Sequence, residues 1–355
     1  MSFPGCSESR RFKKTCLFFT LFATILACGG FETLAHSGGA KLHHNQVIID
    51  SLDREIAQCG GERYLAVLRG LRWCVVLFDD NSKFDCTFSN YLMMLDELTL
   101  YRPYPALADI VHTLIVREFE RALPRFRAIF PPDTDGYDDF IRILPVAYRH
   151  QAPIKPLKEF AARHFAGVTP IDRLPEFRRA AKKRDYSSLT GLLVSATSLN
   201  MAYRCQAEKD FALPPDHYQT IVAECASIPF TARFNQDAYS SQNYYATHVV
   251  LALNHYSQHP LIASATADKV FFYLAANYDT VRHRVGDFDL LCEYLYSFRQ
   301  FGLEGVQFVS EGERYVLSQQ REDGSWGTEE DFESDPYDQF HPTWTAVTLL
   351  ILGTG

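Results

Sequence analysis

The sequence predicts an all-α protein, and two observations support this. Apolar residues recur at helical spacing, as in Leu65, Leu68 and Leu71, whereas the alternation typical of strands is nearly absent. From residue 187 onward, strongly apolar helical segments alternate with amphipathic ones. Because an apolar helix is buried and an amphipathic helix lies at a surface, the alternation predicts inner and outer helices. The predicted architecture is an α/α toroid, a complete or incomplete ring of inner and outer helical hairpins.

The first 35 residues have the pattern of an export signal. A basic stretch at residues 10–14 precedes a short apolar run at residues 16–28, which is too short to span a bilayer, where about 20 apolar residues are needed. We expect cleavage after Ala35 and a periplasmic or secreted protein. The alternative is a lipoprotein, because the residues before Cys28 resemble a bacterial lipoprotein box and would place a lipid anchor there.

The charge balance disfavours two classes of partner. The whole chain of 355 residues has a formal charge of −8, and loss of four basic and two acidic residues with the signal leaves −10. Nucleic acids and anionic membranes are bound through basic patches. We therefore expect neither as a partner. We also expect no transmembrane span in the mature chain. A small molecule, a lipid or a carbohydrate remains as the substrate class.

The chain divides into three parts after residue 35. Residues 36–150 form an N-terminal helical region, with helices predicted over 46–56, 61–78, 89–100, 104–129 and 137–148. Residues 151–186 contain several prolines and basic residues, and we interpret them as a linker or hinge. Residues 187–355 form the predicted toroid region, with helices over 189–202, 216–226, 244–256, 262–278, 288–301, 306–320 and 343–352.

Three polar clusters, around His248, Asp289 and His341, each open an apolar helical run. Pro342 favours a helix beginning there, because proline is tolerated in a first turn. The intervals between clusters are each long enough for one helical hairpin, so equivalent helices would point the same way. If the array closes into a ring, the clusters converge on one rim.

This convergence predicts a metal centre. His248, Asp289 and His341 form a ligand set suited to zinc or to non-haem ferrous iron. Glu293 is four residues from Asp289 on the same helix face, and it would orient a histidine or act as a general base. Asp287 and Tyr245 are the other candidate catalytic residues. The alternative is a buried network of acids and histidines without metal.

Two other functions use the same rim. A cavity with stacking aromatic rings and a tyrosine–histidine acid–base pair suits polysaccharide degradation or carbohydrate binding. Its predicted lining is Asn243, Tyr244, Tyr245, His248, Tyr294 and Trp344. A cavity plugged by side chains would instead indicate a non-catalytic interaction protein. The sequence contains no nucleophile motif, phosphate loop or dinucleotide fingerprint that would identify the reaction.

Two sets of residues resemble known families. The segment Gln320-Arg-Glu-Asp-Gly-Ser-Trp326 resembles the Gln-Trp motif of the terpenoid-cyclase and protein-prenyltransferase superfamily, whose fold is a closed ring of inner and outer helices. Thr247-His248, Asp289-Leu-Leu-Cys-Glu293 and Phe340-His341-Pro-Thr343 resemble the Thr-His, Asp-Leu-Leu-Gly-Glu and Tyr-His-x-Thr signatures of an uncharacterised bacterial family. The resemblance covers about residues 187–353.

The sequence also departs from the enzymes of that superfamily. Proton-initiated triterpene cyclases carry an Asp-x-Asp-Asp motif, which this chain lacks. Protein prenyltransferases bind zinc through an Asp-x-Cys pair, where this chain has Asp287-Phe-Asp289. The resemblance therefore implies the fold but does not imply either activity.

Overall fold

The computed structural model describes residues 43–100, 104–169 and 172–352. Within these residues it is all-helical and contains no strand, which confirms the all-α prediction. The first eight helices are α1 (Gln46–Gln58), α2 (Glu62–Leu77), α3 (Asn81–Leu98), α4 (Pro105–Ala122), α5 (Phe126–Ile129), α6 (Thr134–Arg149), α7 (Ile154–His164) and α8 (Leu174–Lys183). The predicted signal and the residue of the alternative lipid anchor lie outside the described residues.

The remaining helices follow from residue 186 onward. They are α9 (Tyr186–Arg204), α10 (Tyr218–Cys225), α11 (Ala238–Leu253), α12 (Ala265–Thr280), α13 (Phe288–Gln300), α14 (Gln307–Ser318), α15 (Glu329–Phe332) and α16 (Pro336–Leu352). A π-helical segment, Val281–Val285, leads into α13. Among the described residues, no helix has both the length and the apolar character that crossing a membrane requires.

Six helices contact one another in a closed cycle. Helix α3 packs on α6, α6 on α9, and α9 on α11. Helix α11 then packs on α13, α13 on α16, and α16 on α3, which closes the cycle. The neighbours α4 and α8 pack on α3 and α9, whereas α12 packs on both α11 and α13, and α14 packs on both α13 and α16. The predicted N-terminal region thus supplies two members of the cycle, α3 and α6. The segment 151–186, interpreted as a linker or hinge, contains α7 and α8.

The turn between α14 and α15 joins the C-terminal part of the chain to α2. Gln320 Nε2 donates to the carbonyl oxygens of Ala66 and Gly324, at 2.9 Å each. Trp326 is fully buried, and its Nε1 donates to the carbonyl oxygen of Val316 at 2.8 Å. Gly324 has a φ of +96°, and a Cβ there would lie 2.6 Å from a backbone oxygen of α2. These bonds hold the turn against α2.

The start of α16 differs from the sequence prediction, which was wrong in placing His341 at a helix N-terminus. The helix begins at Pro336, and the side chain of Asp335 accepts from the backbone N–H groups of Tyr337 at 2.9 Å and Asp338 at 3.1 Å. Asp335 is therefore the cap and Pro336 the first-turn proline. Pro342 lies inside the helix, so His341 is held on a formed turn.

Candidate metal centre

Helix α13 presents three carboxylates near its first turn. Asp287 caps the helix, with its Oδ1 accepting from the backbone N–H of Leu290 at 3.1 Å. Asp289 and Glu293 follow on one helix face, and both are buried. Carboxylates near a helix N-terminus are stabilised by the helix dipole, which favours their charged form.

Helix α11 holds these carboxylates through side chains one turn apart. The Tyr244 hydroxyl lies 3.0 Å from Asp287 Oδ2 and 2.9 Å from Asp289 Oδ2, and the Thr247 hydroxyl donates to Glu293 Oε2. A tyrosine hydroxyl has one hydrogen to donate, so the two aspartates share it. His248 Nδ1 lies 2.8 Å from the carbonyl oxygen of Tyr244 and 3.6 Å from Glu293 Oε2.

Helix α16 completes the cluster with His341. Its Nδ1 lies 2.8 Å from Asp289 Oδ2. The imidazole stacks on the Tyr337 ring, with centroids 4.6 Å apart at 24°, and it meets the Trp344 ring edge to face, with centroids 5.3 Å apart at 82°. The two rings fix the orientation of the imidazole against Asp289.

Asp289, Glu293 and His341 each offer one ligand atom, and these atoms lie within 4.8 Å of one another. Oδ1 of Asp289 is buried and accepts no hydrogen bond, an expensive state for a carboxylate oxygen. Two carboxylate oxygens and an imidazole nitrogen are ordinary ligands for zinc and ferrous iron. The residues present therefore fit a divalent metal ion.

The charge of Asp289 follows from its neighbours. Burial alone would raise the pKa of this carboxyl, but the ion pair with His341 and the hydrogen bond from Tyr244 outweigh burial and hold the pKa below its ordinary value. Asp289 is therefore ionised at neutral pH, the form that a metal ion binds.

The structure brings together most of the predicted site residues. Asp289, Glu293 and His341 form the three-residue group, with Glu293 as a member of the group itself. His248, predicted as a metal ligand, lies beside this group, next to Glu293. Asp287 contacts the same tyrosine hydroxyl as Asp289.

Other predicted residues lie in different surroundings. Tyr245 packs against the rings of Tyr186 and Phe230, with centroids 5.9 and 6.2 Å away. Asn243 Oδ1 accepts from the hydroxyls of Tyr294 and Tyr273, in a separate hydrogen-bonded group. The predicted carbohydrate-binding lining is therefore divided, with Tyr244, His248 and Trp344 in contact with residues of the candidate metal centre.

Sequence reasoning missed a buried acid next to Trp344. Glu97, on α3, is 5% exposed, and its Oε2 accepts from Trp344 Nε1 at 3.1 Å and Thr348 Oγ1 at 3.0 Å. Burial raises the pKa of Glu97 to about 8 despite these two hydrogen bonds. The side chain is therefore mostly protonated at neutral pH. The signal in the sequence was an acidic pair, Asp96 and Glu97, inside an apolar run.

Tyr256 and Tyr337 were also missed, and both lie near the cluster. Burial raises the pKa of each phenol above its ordinary value, and the charge of Glu293 raises both further. The two hydroxyls consequently stay protonated at neutral pH and can donate hydrogen bonds.

No family model, curated protein or solved structure matches this chain.

Proposed function

We propose that this chain is a metal-dependent enzyme in which Asp289, Glu293 and His341 hold a zinc or ferrous ion. The observation that carries the proposal is the unsatisfied Oδ1 of Asp289 within a group whose ligand atoms lie within 4.8 Å. A buried carboxylate oxygen without a hydrogen bond is costly, and a cation is the partner such an oxygen would take.

The surrounding residues have roles that suit this proposal. Tyr244 and Thr247 donate to Asp289 and Glu293, and so orient both carboxylates in the manner of outer-shell partners of a metal site. His248 Nδ1, 2.8 Å from a carbonyl oxygen, would carry the proton, which leaves Nε2 as a base. A bound zinc ion would supply Lewis acidity and lower the pKa of a water molecule, which suits hydrolysis.

The proposed architecture is an α/α toroid with α3, α6, α9, α11, α13 and α16 as its inner helices. The closed cycle of contacts among these six helices supports it. The bonds of Gln320 and Trp326 support kinship in fold with the terpenoid-cyclase and protein-prenyltransferase superfamily, because they tie a helix end to a neighbouring turn. The resemblance to the uncharacterised bacterial family falls on Thr247, His248, Asp289, Glu293 and His341, which meet at this centre.

The proposed protein is periplasmic or secreted after removal of residues 1–35. The alternative is a lipoprotein with the lipid attached at Cys28. The basic and apolar pattern of that segment supports export. The proposed substrate is a small molecule, a lipid or a carbohydrate, and the acidic charge balance supports the expectation that nucleic acid is not a partner.

Metal content tests the function directly. The chain beginning at His36, purified without a metal-binding tag, is stripped with chelator and titrated with zinc and, without oxygen, with ferrous iron. We expect one ion per chain in the parent, and loss of that ion in His341→Ala and Asp289→Asn with unchanged helicity by circular dichroism, because each removes a ligand.

His217→Ala is the matched control, because His217 also pairs with an aspartate, at 3.3 Å from Asp172, away from the cluster. It should retain the metal. A parent that binds neither ion, or equal metal content in all four proteins, would show that the cluster is a network of acids and histidines without metal.

A further inference from the structure

A chain of hydrogen bonds runs from a buried carboxylate to an exposed histidine, on helices other than those of the candidate metal centre. Asp96 Oδ1 lies 3.0 Å from His150 Nε2, and His150 Nδ1 lies 3.0 Å from His112 Nδ1. Asp96 and His150 are buried, whereas His112 is exposed. The three residues lie on α3, at the end of α6 and on α4, so the chain joins three helices and opens at the surface.

The direction of these hydrogen bonds follows from Asp96. Arg149 Nη1 donates to its Oδ2, so a guanidinium holds one carboxylate oxygen while His150 meets the other. An ionised carboxylate only accepts hydrogen bonds, which puts the hydrogen of a neutral His150 on Nε2 and leaves its Nδ1 as a bare lone pair. Nδ1 of His112 then donates to it. The two Nδ1 atoms therefore face each other with a single hydrogen between them.

The contact between Asp96 and His150 is the arrangement found behind metal-binding histidines. A histidine that coordinates a metal ion through one ring nitrogen usually donates the N–H of the other to a carboxylate, which fixes the ring and makes it a better ligand. Asp96 is placed as that carboxylate, and Nδ1 of His150 as the coordinating nitrogen. His112 offers a second nitrogen at the same point, since the two rings lie with their centroids 5.3 Å apart at 37°.

The separation of the two Nδ1 atoms indicates which ion fits between them. A metal–imidazole bond is about 2.0–2.1 Å long, so two nitrogens bound at a right angle lie about 2.9 Å apart, and two at the tetrahedral angle about 3.3 Å apart. The observed 3.0 Å is closer to the right angle. Adjacent ligands in square-planar copper(II) sites meet at a right angle, and copper(II) binds imidazole more tightly than the other divalent first-row ions do.

The helix ends around this pair favour a cation. His150 is the C-terminal cap of α6, and Asp96 lies in the last turn of α3, which packs on α6. The C-terminal ends of helices carry partial negative charge, which stabilises a positive ion nearby. The positive charge of Arg149 is offset by its ion pair with Asp96. The surroundings of the two histidines therefore do not oppose a bound metal ion.

We propose that His112 and His150 bind a copper(II) ion through their Nδ1 atoms, with Asp96 as the carboxylate that orients His150. The ion replaces the hydrogen between the two nitrogens, which passes to Nε2 of His112 so that both rings stay neutral. Water completes the coordination, because His112 is exposed. The site is separate from the candidate metal centre on α11, α13 and α16, and it does not depend on the proposed function.

Copper titration tests this inference. The chain beginning at His36 is stripped of metal and titrated with copper(II), and binding is followed by electron paramagnetic resonance, in which coordinating imidazole nitrogens split the copper signal. Asp96→Asn should weaken copper binding about tenfold, as loss of an outer partner does, and His112→Gln should weaken it about 100-fold, because it removes a ligand. His112 is exposed, so His112→Gln remains a test if the buried Asp96 cannot be replaced without unfolding.

His283→Gln is the control, because His283 is an exposed histidine in the π-helical segment before α13. It should match the parent, and copper held at the shared N-terminus is common to all the proteins. His341→Ala should also keep the nitrogen-split signal, which separates this site from the candidate metal centre. Equal copper affinity in His112→Gln and the parent would overturn the inference. So would a signal that disappears in His341→Ala and persists in His112→Gln.

Discussion

Glu97 should make the protein less stable as the pH rises from 5 to 8. An isolated glutamate has a pKa of 4.5, and burial raises the pKa of Glu97 to about 8. Between these values the unfolded chain loses the proton while the folded protein keeps it. The unfolded state therefore binds fewer protons, and the free energy of unfolding falls with rising pH.

The size of the effect follows from the two pKa values. Each pKa unit corresponds to about 1.4 kcal/mol, so the loss is about 3 kcal/mol at pH 7 and approaches about 5 kcal/mol above pH 8. Glu97→Gln removes the titrating group, and its amide oxygen can still accept from Trp344 and Thr348. We expect the variant to be more stable than the parent at pH 8 and above, with the difference shrinking towards pH 5.

Urea unfolding at pH 5, 6, 7, 8 and 9 measures this difference. Subtracting the profile of the variant from that of the parent cancels other titrating groups, including Glu118, whose pKa burial raises to about 7. Glu304→Gln, at an exposed turn, is the control and should follow the parent at every pH. Parallel profiles for the parent and Glu97→Gln would refute the reasoning, because they would mean that Glu97 titrates alike in both states.

Two further changes test how the helices are held together. Gly70→Ala should destabilise the protein by about 1–3 kcal/mol, because a Cβ there would lie 2.9 Å from the Trp326 ring. Gly191→Ala is the control, because open space surrounds Gly191, and it should be neutral or stabilise the protein by up to about 1 kcal/mol. Both values come from urea unfolding, and equal effects of the two would contradict the close approach. Glu313→Gln should lower the free energy of unfolding by about 3–5 kcal/mol, because this 1% exposed carboxylate bridges Arg63 and Arg299. A loss below about 1 kcal/mol would contradict that role.

The helical pattern could be predicted from sequence because it depends on local spacing. The apolar spacing from residue 187 onward was sufficient to predict an all-helical region, and the recurring polar clusters pointed to Asp289, Glu293 and His341. The contribution of α3 and α6 was not predictable, since their contacts with α16 and α9 join residues far apart in the chain.

Two differences between the sequence predictions and the structure come from the rotation and capping of helices. Neighbouring residues on a helix point about 100° apart, so Tyr244 faces the carboxylates while Tyr245 packs against Tyr186 and Phe230. The sequence shows two adjacent tyrosines without indicating which one faces inward. Pro342 suggested a helix start, but Pro336 fits the same rule and has Asp335 before it as a cap. A proline pattern alone does not choose between them.

The interior around α13 contains three features that are each unfavourable for folding. Glu97 is a buried acid, Oδ1 of Asp289 and Nε of Arg142 are buried without hydrogen bonds, and the segment at Tyr256 is strained. A protein that needed only stability would gain from apolar side chains at such positions. A divalent cation bound by Asp289, Glu293 and His341 would satisfy Oδ1 of Asp289, so binding of the ion should raise the free energy of unfolding.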